Sequence, residues 1–196
     1  YRRTALKNIS WVLSLGADNG WIDLMGFSRE EIPLTHTIAY TLSGLLECSE
    51  FMDGDMKQEV RNIVFSDAER LLLRYEKRKR HPNASPEYLP GRFNDKWQPA
   101  ARFSCLTGDA QIAIIWLKTY KLTSDARFLN ASLKILDQLK EMQDLVSSNP
   151  GIRGGIPGSF PIWGEYMPWS YPNWAAKFFA DALILQEELM KPLEMR

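Results

Sequence analysis

The chain has 196 residues, in which 24 Lys and Arg balance 24 Asp and Glu. No global field therefore draws it to nucleic acid or to an anionic membrane surface, and neutral partners fit better. No apolar run approaches the length of a bilayer span and no charged-then-apolar targeting segment opens the chain. Two cysteines, Cys48 and Cys105, are too few for a disulfide framework, which favours reduced thiols and the cytoplasm.

Tyr1-Arg2-Arg3 runs straight into a helical pattern without a start signal, which reads as a cut end. Thr4 to Leu15 places Leu6, Ile9, Val12, Leu13 and Leu15 near one face, an amphipathic helix ended by Gly16. After Pro33, the run Thr35 to Glu47 is short of charge until its end and reads as a helix buried on most sides. Asp53-Gly54-Asp55 lacks the remaining ligands of a metal loop and is read as a turn, so no metal site is expected. Gln58 to Lys79 is amphipathic again and runs into the most basic stretch, Arg74 to His81, read as a solvated helix terminus favoured by the helix dipole.

A loop with Pro90-Gly91-Arg92-Phe93-Asn94 precedes a second mostly apolar helix, Thr107 to Leu117. Ala126 to Leu145 is a third amphipathic helix. Then comes a stretch unlike a solvated linker: from Pro150 to Leu183 it holds five glycines, five prolines, three tryptophans and two tyrosines, and it ends in a run from Asn173 that is apolar on nearly every side.

These segments repeat. Ala5, Ala68 and Ala131 open similar words at equal spacing, and glycine-then-aromatic elements end at Trp21, Phe93 and Phe160 before each uncharged helix. A charged, one-faced helix alternating with an almost uncharged one predicts an all-α fold with an outer and an inner layer of helices, built from three helical hairpins. The turns from outer to inner helices then gather at one mouth, with His36, Asp109 and Asn173 at comparable positions. Three hairpins predict a partial ring, or the C-terminal part of a longer one, within a single repeat domain spanning 1–196.

The alternation resembles the α/α toroids, which include six-hairpin glycosidases, polysaccharide lyases, sugar epimerases and the terpenoid-cyclase group. More narrowly, Leu34–Glu47 (LTHTIAYTLSGLLE), Cys105–Leu117 (CLTGDAQIAIIWL), Gly155–Pro168 (GIPGSFPIWGEYMP) and Pro172–Ala182 (PNWAAKFFADA) are similar to a bacterial family found beside polysaccharide-biosynthesis genes. Members are often labelled delta-aminolevulinic acid dehydratase-like. The chain resembles that enzyme in neither architecture nor motifs, since no alternation of strand and helix is present. The toroid resemblance implies a fold and leaves the chemistry open, because toroids host unrelated reactions.

The candidate site residues follow from the mouth. His36 and Tyr40, one helical turn apart, form a pair able to abstract and return a proton beside a carboxylate or carbonyl; the alternative is a buried histidine capping its own helix. Asp109 and Glu165 are the best available carboxylate couple for glycoside hydrolysis, although Asp109 also reads as a helix cap. Arg153 and Lys177 suit a sugar carboxylate, sulfate or phosphate, or else structural ion pairs. Trp163, Tyr166, Trp169, Tyr171, Asn173 and Trp174 supply stacking faces and polar contacts for a saccharide, while tryptophan equally fills cores. The expected ligand is a carbohydrate, with no cofactor and no nucleic acid. The competing expectation is a non-catalytic repeat scaffold that uses the same aromatic wall.

Overall fold

The computed structural model describes residues 1–78 and 88–194. The part of the basic stretch from position 79 onward lies outside the described residues. The described chain is mostly helical: α1 (Arg2–Leu13), α2 (Thr35–Ser49), α3 (Gly54–Arg78), α4 (Leu106–Thr123), α5 (Ala126–Met142) and α6 (Asn173–Glu194), with one two-stranded sheet, β1 (Ser104–Cys105) and β2 (Ser159–Phe160). None of these helices is long and apolar enough to cross a membrane.

Two layers result. In the front row α4 lies between α2 and α6 and packs on both; behind it α3 packs on α2 and α4, and α5 packs on α4 and α6. Burial follows composition. α4 carries no charge between Asp109 and Lys118, and Ile112, Ala113, Ile115, Trp116 and Leu117 are all fully enclosed. α5 shows the one-faced pattern, with Phe128, Ala131, Ile135, Leu136 and Leu139 buried. One continuous core joins the layers.

Three long connections and two short ones decide which ends meet. α2 and α3 are joined through residues 50–53, and α4 and α5 through Ser124 and Asp125 alone. Ser124 takes a left-handed conformation (φ 61°) and Asp125 accepts a hydrogen bond from Arg127 N, so one helix is stopped and the next capped within two residues. The tight antiparallel pairs are therefore inner-to-outer, α2–α3 and α4–α5, whereas the repeat predicted outer-to-inner hairpins. The turn chemistry of Ser124-Asp125 overrides the repeat boundary.

All three long connections lead into the N-termini of α2, α4 and α6, and they are stitched together there. Ser104 and Cys105 pair with Phe160 and Ser159, Leu34 bridges Arg92, and Thr35 N donates to Gly91 O. Glycines permit the approach: a Cβ on Gly108 would stand 2.7 Å from His36 N, and one on Gly91 would stand 2.5 Å from the Phe103 ring.

Two expectations are corrected. α6 is not the enclosed helix that its nearly all-apolar run suggests. Ala175, Phe179 and Ala182 are buried, while Trp174, Lys177 and Ile184 are open to solvent. Ala5 is not equivalent to Ala68 and Ala131 in environment. The latter two are buried on α3 and α5, but Ala5 lies exposed on α1 and lines an apolar hollow with Cys48, Phe51 and Met52.

Candidate functional site

The front row leaves a groove of about 630 Å³ along its open face. Tyr40, Ser43, Gly44 and Glu47 of α2 form one wall, Gln111, Ile114 and Lys118 of α4 the floor, and Trp174, Lys177, Phe178, Asp181 and Leu185 of α6 the other wall. Polar and aromatic groups alternate because each helix offers the groove one stripe at i, i+3 and i+4 spacing. Two ion pairs cross or line it: Lys118 Nζ to Glu47 Oε1 at 2.8 Å, joining α4 to α2, and Lys177 Nζ to Asp181 Oδ2 at 2.7 Å along α6. Lys177 Nζ also stands 4.2 Å from the centre of the Phe178 ring.

His36 closes the stitched end of this groove. It is 5% exposed, and its ring packs against Tyr40 (4.7 Å between centroids), Tyr166 (5.4 Å) and Phe178 (6.3 Å). Nδ1 lies 2.6 Å from Gln111 Oε1. With the amide oxygen accepting, Nδ1 carries the proton and Nε2 the lone pair. Burial lowers the His36 pKa from its ordinary 6.5, and the Gln111 hydrogen bond partly opposes that shift. Burial thus favours the uncharged form of the ring. Tyr40, half exposed, sits between this ring and the open groove.

Tyr166 reaches the same place from the aromatic loop. Its hydroxyl accepts from Trp174 Nε1 at 2.7 Å, and burial pushes its pKa up to about 12. Its neighbour Glu165 points away from the groove. That carboxylate is 72% exposed and lies 3.6 Å from Arg92 Nε; Arg92 in turn donates to Glu31 Oε1 at 2.9 Å and to Ile32 O. One guanidinium thus ties residues of all three long connections.

Asp109 lies behind the groove. It is fully buried, with Ser104 Oγ 2.6 Å from its Oδ2, and the same hydroxyl is 2.7 Å from Leu89 O. It joins α4 to β1 and shares no open cleft with Glu165. Cys105, also fully buried, has its thiol pKa raised to about 12 by burial, against the effect of backbone N–H groups of Gly108, His36 and Thr107. Both cysteines are unbridged.

The remaining candidates divide. Trp174 and Lys177 line the groove, and Asn173 is exposed at the first position of α6. Tyr171 is half-buried against Gly155, where a Cβ would stand 3.0 Å from its ring. Trp163 and Trp169 lie on the outer side of the loop with Glu165, and Arg153 is exposed in the turn after α5, where Gly155 O and Gly154 N bond Asp144. The structure therefore brings together His36, Tyr40, Tyr166, Trp174 and Lys177, and separates from them Asp109, Glu165, Arg153, Trp163 and Trp169.

Sequence reasoning missed Gln111, Phe178 and Asp181. Gln111 was legible as the one uncharged polar side chain between Asp109 and the apolar run of α4. Asp181 was legible as the i+4 partner of Lys177. Among the described residues no group of three His, Cys, Asp or Glu side chains is placed to hold a metal ion. No family model matches the chain, and no curated protein matches it.

Proposed function

We propose that the chain is a carbohydrate-active protein of α/α-toroid type that acts on an oligosaccharide or uronic-acid-bearing glycan in the groove between α2, α4 and α6. The observation that carries this reading is the company of His36: a buried neutral imidazole oriented by Gln111, ringed by Tyr40, Tyr166 and Phe178, at the end of a groove with aromatic and charged walls. Saccharides need this mixture, apolar faces for their C–H surfaces and fixed polar groups for their hydroxyls. Lys177 and Lys118 are the groove-lining cations for a sugar carboxylate, and Arg153 is not among the lining residues.

In the catalytic form of the reading, Nε2 of His36 takes the proton from the carbon beside a carboxylate or carbonyl, and the Tyr40 hydroxyl returns one to the same carbon or to a leaving oxygen. A glycan array followed by product analysis in D2O tests it. The parent protein should bind a glycan in the groove and either incorporate deuterium at the carbon that lost its proton or release a cleaved, unsaturated product. His36→Ala should abolish either outcome while keeping binding, and Trp174→Ala should weaken binding. A parent protein that binds no saccharide ends the proposal.

One observation favours the non-catalytic reading. The groove carboxylates Glu47 and Asp181 are both ion-paired, and Asp109, in the first turn of α4, is fully buried. In that reading the groove binds a glycan or protein partner without turnover. Bound glycan recovered unchanged and undeuterated from the parent protein selects it.

A further inference from the structure

We propose a second saccharide-binding site, built by Trp163 and Trp169 on the opposite side of the aromatic loop from the groove; it shares with the reading above only the class of ligand. The two indoles are 64% and 70% exposed, with ring centroids 6.1 Å apart and planes inclined by 36°. They are too far apart and too tilted to hide each other's faces, so they form one broad, shallow aromatic shelf. Leaving so much aromatic surface in water is unfavourable at roughly 25 cal/mol per Å².

The backbone is held to present it. Met167 and Trp169 both take left-handed conformations, with φ of 49° and 55°, in which a bulky side chain costs about 1–3 kcal/mol. The loop fixes these angles rather than relaxing them. Trp169 N donates to Ile162 O at 2.8 Å, tying the segment of one indole to that of the other. Ser159 Oγ donates to Tyr166 O at 2.5 Å, and Gly158 leaves only 2.6 Å between a Cβ and Met167 Cβ. Strain and exposure thus coincide at Trp169, and the Trp169–Ile162 hydrogen bond ties it to the segment that presents Trp163.

Beside the shelf is a cleft of about 610 Å³ between the segments 99–103 and 161–165, lined by Pro99, Arg102, Phe103, Pro161, Trp163 and Glu165. The guanidinium of Arg102 and the carboxylate of Glu165 supply donors and acceptors at its edge. A shelf of π faces next to a mixed-charge, open cleft suits a pyranose chain, whose rings offer C–H faces to the indoles and hydroxyls to the two charged groups. A protein partner of comparable affinity would want a larger apolar patch with a dry centre.

The sites separate in sequence by one residue. Tyr166 faces His36, while Glu165 faces the cleft. An array of neutral, amino and uronic-acid oligosaccharides, followed by calorimetric titration with the best-bound member, tests the proposal. Titration of the parent should show two sites. Trp163→Ala with Trp169→Ala should remove one and weaken overall retention about tenfold or more, the scale of a lost stacking contact. Trp174→Ala should remove the other. Each variant is checked by circular dichroism, and Trp169→Phe, which keeps a ring, should restore part of the lost binding. Unchanged binding in the double variant, binding to no member of the array, or self-association abolished by the double variant would each overturn the second site; loss with Trp174→Ala alone would leave only the groove.

Discussion

Gln111 Oε1 and His36 Nδ1 meet 2.6 Å apart across the seam between α4 and α2. The contact fixes both the orientation of the imidazole and its protonation, since burial and the hydrogen bond act on the same ring in opposite senses. His36 should titrate below its ordinary value. Gln111→Leu should lower it further and destabilise the fold by ~1–3 kcal/mol by stranding a buried N–H. Gln111→Glu should raise it by placing a carboxylate on Nδ1. Imidazole resonances followed through a pH titration check this; a His36 midpoint at or above the ordinary 6.5 contradicts it.

Gly108 should resist substitution although it lies in a helix. Replacing a helical glycine by alanine ordinarily gains about 0.5–1 kcal/mol. Here the new methyl would stand 2.7 Å from His36 N and 2.9 Å from Thr35 C, main-chain atoms that cannot turn aside. Gly108→Ala should therefore lose ~1–3 kcal/mol in a urea titration. A gain in stability would show that the two helix ends can move apart.

Asp67 sets an opposite pH dependence to His36. Its side chain is buried on α3, paired with Arg70 at 2.7 Å, and burial, outweighing that cation, raises its pKa from 3.8 to about 7. The folded state thus holds the proton more tightly than the unfolded chain, so this stability is present at low pH and lost as pH rises from 3.8 through about 7. His36, with a lowered value, contributes stability above 6.5 that is lost as pH falls. Asp67→Asn should flatten the decline on the alkaline side. Chemical denaturation at several pH values checks it, and an unchanged slope contradicts it.

Trp116 should be the costliest single truncation in the core. It is fully buried in α4, donates from Nε1 to Ala68 O of α3 at 3.0 Å, and packs against Tyr75 at 5.6 Å. Trp116→Ala should lose ~3–5 kcal/mol, and Trp116→Phe, which keeps an aromatic ring but not the full indole or the donor to Ala68 O, ~1–2 kcal/mol. Thermal melts of both variants measure the difference; a Phe variant as stable as the parent would deny the hydrogen bond its share.

The layering was legible because it depends on one variable. Charge density along the helices separates α4 from α5, and the same contrast places Trp116 inside and Lys140 outside. His36, Asp109 and Asn173 fall in the first turns of α2, α4 and α6, the register positions the repeat expects. Less was legible where neighbours decide. Asp109 reads as a mouth carboxylate by register, yet Ser104 draws it behind the helix. Glu165 and Tyr166 are adjacent in the chain, yet Tyr166 packs on His36 while Glu165 lies exposed beside Arg92. α6 has an inner-helix composition, but burial needs a neighbour on both flanks, and it has α4 on one only.

Because Gly108 lets α4 meet α2 main chain to main chain, the groove has a fixed gauge at the His36 end and an adjustable one further along. There the walls carry Glu47 and Lys118, paired between α2 and α4, and Lys177 and Asp181, paired along α6, side chains that can swing without moving a helix. Any molecule entering the groove would therefore meet an unyielding constriction where α2 and α4 touch and compliant walls beyond it.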